Sequence, residues 1–114
     1  MALSRPISWV KAALKDFETF PAAVRLTALR ALTIAAERGK ADIAKPLKGI
    51  EGGVFEIVLK NRGDAYRVVY AVQLGDHLWV IHAFQKKSKT GIKTPKAEID
   101  LVHERLKRLK EMLR

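Results

Sequence analysis

The sequence predicts an α+β domain in the order β-αα-βββ-α, a helical hairpin and a closing amphipathic helix packed on a small, mainly antiparallel sheet. Three observations carry this. Three runs rich in valine, isoleucine and aromatic residues follow one another between positions 54 and 84, with short glycine-containing turns between them. Two helical segments separated by Phe20-Pro21 stand before them. After them, apolar residues recur at helical spacing to the end of the chain.

Each element has its own grounds. Ile7 to Val10, opened by Pro6 and carrying Trp9, reads as a short first strand. K-A-A-L-K-D-F-E-T-F (11–20) is a short helix with Leu14 and Phe17 on one side. Pro21 suits the first turn of a second helix, in which Val24, Leu26, Ala28, Leu29, Leu32, Ala35 and Ala36 are apolar and Gly39 is the expected stop. Residues 40–53 contain Pro46, Gly49, Gly52 and Gly53 and are expected to be loop. V-F-E-I-V-L-K (54–60), A-Y-R-V-V-Y-A-V (65–72) and H-L-W-V-I-H-A-F (77–84) then form an antiparallel meander. In the last element Ile99, Val102, Leu106, Leu109 and Leu113 make one stripe, opposite a basic face. Thr94 is the expected N-cap, Pro95 the first helical position, and Glu98 an acid the helix dipole favours. The helices are expected against one side of the sheet.

With 114 residues the chain is long enough for one domain, 1–114, with a core that needs no staple. It has no cysteine, which excludes a disulfide scaffold and thiol catalysis. No run approaches the roughly 18 apolar residues of a membrane span, and the N-terminus lacks a signal-type apolar region, so a cytoplasmic protein with no membrane partner is expected. The charge is the outlier. The net formal charge is +10, and residues 84–114 carry 10 Lys+Arg against 4 Asp+Glu. F-Q-K-K-S-K-T-G-I-K-T-P-K (84–96) alone holds five lysines and no acid. Such a local excess points to phosphates or to an acidic protein partner.

Candidate chemistry is confined to cations and one histidine. Arg67 stands in an almost wholly apolar strand, where it either faces a groove or pairs with an acid such as Glu56. His82 sits two residues before the lysine cluster, either as a groove-facing acid/base or as a packed histidine with one hydrogen bond. No metal-ligand spacing, nucleophile elbow, phosphate-binding glycine loop or carboxylate pair occurs, so no metal and no small-molecule cofactor is expected. Lysine, arginine and histidine suffice for one reaction in particular. RNA brings its own nucleophile, the 2′-hydroxyl, and needs only proton transfer and cations for the developing charge.

The order β-αα-βββ-α, with F-P-x-x-V-R (20–25), K-P-L-K-G (45–49), A-Y-R-V-V-Y (65–70) and H-A-F-Q-K-K-S-K-T-G-I-K-T-P (82–95), resembles the RelE/ParE toxin superfamily, in its HigB-type, phage-derived RelE-like branch. The resemblance covers essentially the whole chain. It implies the toxin of a type II toxin–antitoxin system, a ribosome-dependent endoribonuclease that cuts mRNA by metal-independent 2′-hydroxyl attack. It implies Arg67 as holder of the scissile phosphate, and Lys86, Lys87 and His82 as acid/base and charge-stabilising groups. Lys60, Arg62, Lys89, Lys93 and Lys96 would contact RNA and ribosome. The implied partners are the ribosome, mRNA and a cognate antitoxin of the helix-turn-helix DNA-binding type. RelE carries an active-site tyrosine near its C-terminus, whereas this chain has none after Tyr70, which leaves Lys86, Lys87 or His82 as the base. Two other readings stand beside it: a ParE-like gyrase inhibitor acting by binding, and a non-catalytic basic nucleic-acid-binding module.

Overall fold

A computed structural model describes residues 4–86 and 93–114. Strand β1 (Ile7–Trp9) leads into helices α1 (Lys11–Phe17) and α2 (Ala22–Ala36). Strands β2 (Ala44–Pro46), β3 (Val54–Asn61), β4 (Asp64–Leu74) and β5 (His77–Lys86) follow, then helix α3 (Lys96–Met112). The strands make one sheet in the order β1-β5-β4-β3-β2. β2 to β5 pair antiparallel, and β1 lies parallel to β5 with Ile7 opposite Leu78. The chain thus leaves one sheet edge at β1, crosses a face as the helical hairpin, and returns at the other edge as β2.

β2 corrects the expectation of a loop over 40–53. Ala44, Lys45 and Pro46 pair with Ile57, Glu56 and Phe55. Three residues ending in proline carry no alternating pattern, and proline is tolerated because this is an edge strand. The strand nonetheless matters, since it brings Lys45 beside Glu56.

The hairpin face is built from alternate residues of the meander. Ile57 and Leu59, Tyr66, Val68 and Tyr70, and Leu78 and Val80 meet Phe17, Val24, Ala28 and Leu32. A chain of tilted rings, Trp9–Phe17–Phe20–Tyr66, joins β1, α1, the turn between the helices and β4 at centroid distances of 4.9, 5.7 and 4.9 Å. Burying each phenylalanine contributes about 1.5–3 kcal/mol. Ala28, Ala31, Ala35 and Ala36 are the small residues that let α2 lie close on the sheet, while Leu26 and Leu29, expected in the apolar set, face outward. Arg38, not Gly39, takes the left-handed backbone after α2, at φ 71°. Gly39 is needed for closeness instead, because a Cβ there would meet Ile34 Cγ2 at 3.1 Å.

α3 corrects the one-sided arrangement. Its Val102, Leu106 and Leu109 pack with Val69, Ala71, Ile81 and Phe84 on the opposite face of the sheet. A sheet covered on both faces explains why β4 is nearly all apolar. The alternation of β5 also breaks. Tyr70 lies opposite Val80 but Val69 lies opposite His82, so Ile81 is an extra residue at a β-bulge. Leu78 and Val80 face the hairpin, whereas Ile81, Phe84 and, by register, His82 and Lys86 face α3.

Candidate active site

That bulge assembles the site. Partners across an antiparallel pair share a face, so the registers define rows on the α3 side. One row reads Lys45, Glu56, Val69, His82; the next Val58, Arg67, Phe84; the last Lys60, Ala65, Lys86. Arg67 and Lys86 are therefore diagonal neighbours on adjacent strands, with Cα atoms about 7–8 Å apart. Lys60 and Lys86 flank small Ala65 at a separation of roughly 10 Å, two strand spacings. Arg62 lies just beyond, exposed at the β3–β4 turn, where Arg62 and Gly63 both have positive φ (52° and 86°), as a two-residue hairpin requires.

Glu56 is the hub beneath these cations. It is 3% exposed, as is Arg67. Arg67 Nη1 donates to Glu56 Oε1 at 3.2 Å, and Thr94 Oγ1 donates to Oε2 at 2.7 Å. Lys45 Nζ lies 3.6 Å from Oε1. The salt-bridge alternative for Arg67 therefore holds and the groove-facing one does not. Burying a guanidinium is tolerable only with such a partner. Thr94 is likewise not a cap: the N-cap is Pro95, whose carbonyl accepts from the amides of Glu98 and Ile99, both at 3.1 Å. The threonine instead ties the start of α3 to the sheet.

Lys86 is 7% exposed, and its ammonium is held below the ordinary lysine value, first by burial and then by the Arg67 charge, with Glu56 opposing. This is the environment in which a lysine can serve as a base. His82 does not face a groove. It is 3% exposed under α3, its Nε2 is 2.9 Å from Glu98 Oε1, and Arg105 Nη1 stands 3.1 Å from Nδ1. Burial pushes its pKa down against the pull of Glu98, so the ring is neutral and Arg105 donates to it. His82 helps to seat α3; it is a packed histidine with two partners.

Beside this floor a cleft of about 720 Å³ opens between Lys45–Gly49 and the start of α3. Lys45, Lys48, Lys93 and Lys96 line it, with Glu56 and Thr94 among its lining. Lys96 also pairs with Asp100 across one helical turn at 3.0 Å, an exposed contact that a phosphate can outcompete. Four ammonium groups around one largely engaged carboxylate make the cleft strongly electropositive.

The sequence-expected site residues thus divide. Arg67, Lys86 and Lys60 come together on one face of the sheet; Lys93 and Lys96 line the adjoining cleft; Arg62 sits at the turn tip. Lys87 and Lys89 lie outside the described residues. Sequence reasoning missed Lys45 and Lys48, although K-P-L-K-G was noted as a motif, and missed Thr94 as a partner of Glu56. The signal for Glu56 was available: an acid inside an apolar strand, adjacent to a strand with an equally isolated arginine.

The two-layered cover, the strand order and the basic α3-facing floor define a RelE-like fold. A mutant of the E. coli toxin RelE in the free state superposes with a TM-score of 0.62 at 21% identity, covering 92% of this chain and 97% of that one. The isolated E. coli RelE toxin gives 0.57 at 19%, covering 89% and 98%. The toxin–antitoxin complex RelBE2 from Mycobacterium tuberculosis gives 0.52 at 16%, covering 77% and 98%. The family model for phage-derived Gp49-like proteins matches residues 15–107, and the chain belongs to that family. No curated protein matches the sequence.

Proposed function

We propose that the chain is the toxin of a HigB-type toxin–antitoxin pair: a cytoplasmic endoribonuclease that enters the ribosomal decoding site and cuts mRNA there. The observation that carries this reading is the placement of Arg67 and Lys86 as diagonal neighbours on the α3 face, with Lys60 in the row beyond. In the reaction the ribose 2′-oxygen attacks phosphorus and the P–O5′ bond breaks. Lys86, with Lys87 as the alternative, takes the 2′-hydroxyl proton, and a second cationic group returns a proton to the 5′-oxygen. Arg67 acts as a fixed charge under the phosphate rather than as an exposed clamp, and by lowering the pKa of Lys86 it raises the fraction of free amine. Lys45, Lys48, Lys93 and Lys96 grip the flanking backbone. The protein's own cations stabilise the developing charge, so the proposed reaction is metal-independent.

The test is to induce the protein briefly in bacteria and map transcript ends, with wild type beside Lys86→Ala. Cuts inside translated codons that vanish in the variant support the reading. Intact messages accompanied by gyrase-linked DNA breaks would replace it with the ParE-like one.

A further inference from the structure

The cleft beside the sheet floor offers more than positive charge. Its volume of about 720 Å³ falls in the range of small-molecule sites, roughly 300–1,000 Å³. Its walls carry apolar groups: exposed Pro46 and buried Leu47 on one side, half-buried Ile99 on the other. At one end the walls are held together. His103 Nε2 donates to Gly49 O at 2.9 Å, and a Cβ built on Gly49 would stand 3.8 Å from Ile99 Cγ2. A phosphate needs no apolar walls, and a carboxylate at the floor repels it. A flat, unstacked base suits such a slot.

The floor selects which base. Lys45 Nζ lies 3.6 Å from Glu56 Oε1, and Thr94 Oγ1 donates to Glu56 Oε2 at 2.7 Å. The lysine can only donate. The carboxylate can only accept, with about four acceptor positions, and Arg67 and Thr94 each take one. The threonine's proton is committed to Glu56, so towards the cleft its oxygen can only accept. Lys45, Glu56 and Thr94 therefore read donor, acceptor, acceptor. The Watson–Crick edge of guanine reads acceptor, donor, donor (O6, N1–H and the 2-amino group) and is the complement. Adenine and cytosine would each turn a ring-nitrogen acceptor towards the carboxylate, and uracil has one donor between two carbonyls. We infer that the cleft takes an unstacked guanine of the RNA strand, walled by Pro46, Leu47 and Ile99 and read by Lys45, Glu56 and Thr94. Lys48, Lys93 and Lys96 hold the phosphates on either side. Glu56 precedes Lys60 by four residues of β3, roughly 13 Å, so this guanine neighbours the scissile linkage rather than forming it. The inference deepens the proposed nuclease function, from which it takes only that RNA enters the cleft.

The experiment titrates isotope-labelled protein with nucleoside 5′-monophosphates and follows the methyl resonances of Leu47 and Ile99. Saturable shifts are expected with the guanosine nucleotide, and binding about tenfold weaker or worse with the adenosine, cytidine and uridine ones. The inosine nucleotide keeps O6 and N1–H but lacks the 2-amino group, and should fall between. Lys45→Met removes the donor at a 44%-exposed edge position and should bring guanosine and adenosine within about threefold. Lys107→Ala, an exposed α3 position outside the cleft lining, should preserve the ratio. Three results would overturn the inference: equal binding of all four nucleotides, which means phosphate contacts only; shifts that spare Leu47 and Ile99; or an unchanged ratio in Lys45→Met. Transcript ends separate this from the nuclease reading. Guanine at one fixed position beside the cuts, lost in a Lys45→Met protein that still cuts, supports the site. Cuts with no such preference overturn the guanine site and leave the nuclease. Guanosine-selective binding without any cuts overturns the nuclease and leaves the site.

Discussion

Glu56 and Arg67, from adjacent strands and each 3% exposed, form an ion pair at 3.2 Å beneath the electropositive surface. The pair explains how an arginine can lie inside the sheet, and it makes both residues structural before they are anything else. Glu56→Ala strands the guanidinium in a low-dielectric site and is expected to cost about 3–5 kcal/mol in urea unfolding. Glu56→Gln keeps an acceptor and should cost less. Arg67→Ala is expected to destabilise comparably, so loss of activity in that variant says little about catalysis unless folding is measured alongside.

Thr94→Val tests whether the start of α3 is tied to Glu56. The hydroxyl donates to a buried carboxylate at 2.7 Å, so its loss should cost about 1–3 kcal/mol although the volumes match. Thr94→Ser should restore most of it. Equal stability of Thr94→Val and wild type in denaturant would show that the contact does not hold the helix.

Lys86 offers a pH test. Its pKa lies below the ordinary 10.5, so free amine forms at lower pH than for an exposed lysine. Cleavage should rise with pH and level off before 10.5 is reached. Lys86→Arg keeps the charge but cannot lose the proton, and should abolish that limb. The same shift has a sign for stability. Between the folded and unfolded pKa values the unfolded chain binds more protons, so this group's contribution improves as pH rises through that window.

His82 titrates with the same sign at lower pH. Burial places its folded pKa below the ordinary 6.5. Its contribution is complete above 6.5 and is lost as pH falls toward the folded value, because the unfolded chain takes up the proton first. The ring resonances should titrate with a midpoint under 6.5. A midpoint above 6.5 would mean that Glu98 dominates and the ring is charged.

Lys93→Ala with Lys96→Ala should weaken RNA binding and reduce its log–log salt slope by about 0.7 for each lost phosphate contact on a single strand. An unchanged slope would remove these lysines from the backbone contacts.

Much of the fold was legible because its signals are local. Strands β3 and β4 and the stripe of α3 follow from periodicity, and Phe20-Pro21 marks the hairpin. What failed was non-local. A bulge at Ile81 shifts β5 by one residue, and no feature of H-L-W-V-I-H-A-F announces it, so simple alternation puts His82 on the side of Leu78 and Val80 although it faces α3. Strand β2 is defined by its partner rather than by its own three residues. Which face α3 covers is not written in its own stripe, and the apolar character of both faces of β4 was the one hint. For the site, the cations were readable as residue types and Glu56 as a partner for Arg67; its further contacts with Thr94 and Lys45 were not, because they depend on the start of α3 and on edge strand β2.

The measurement that bears most directly on the central claim uses ribosomes programmed with a message carrying one 2′-deoxynucleotide at a codon the protein cuts in the all-ribose message. The account predicts loss of that cut alone, with 2′,3′-cyclic phosphate ends at the remaining sites. Cutting at the deoxy position, or products ending in 3′-hydroxyl groups, would contradict it.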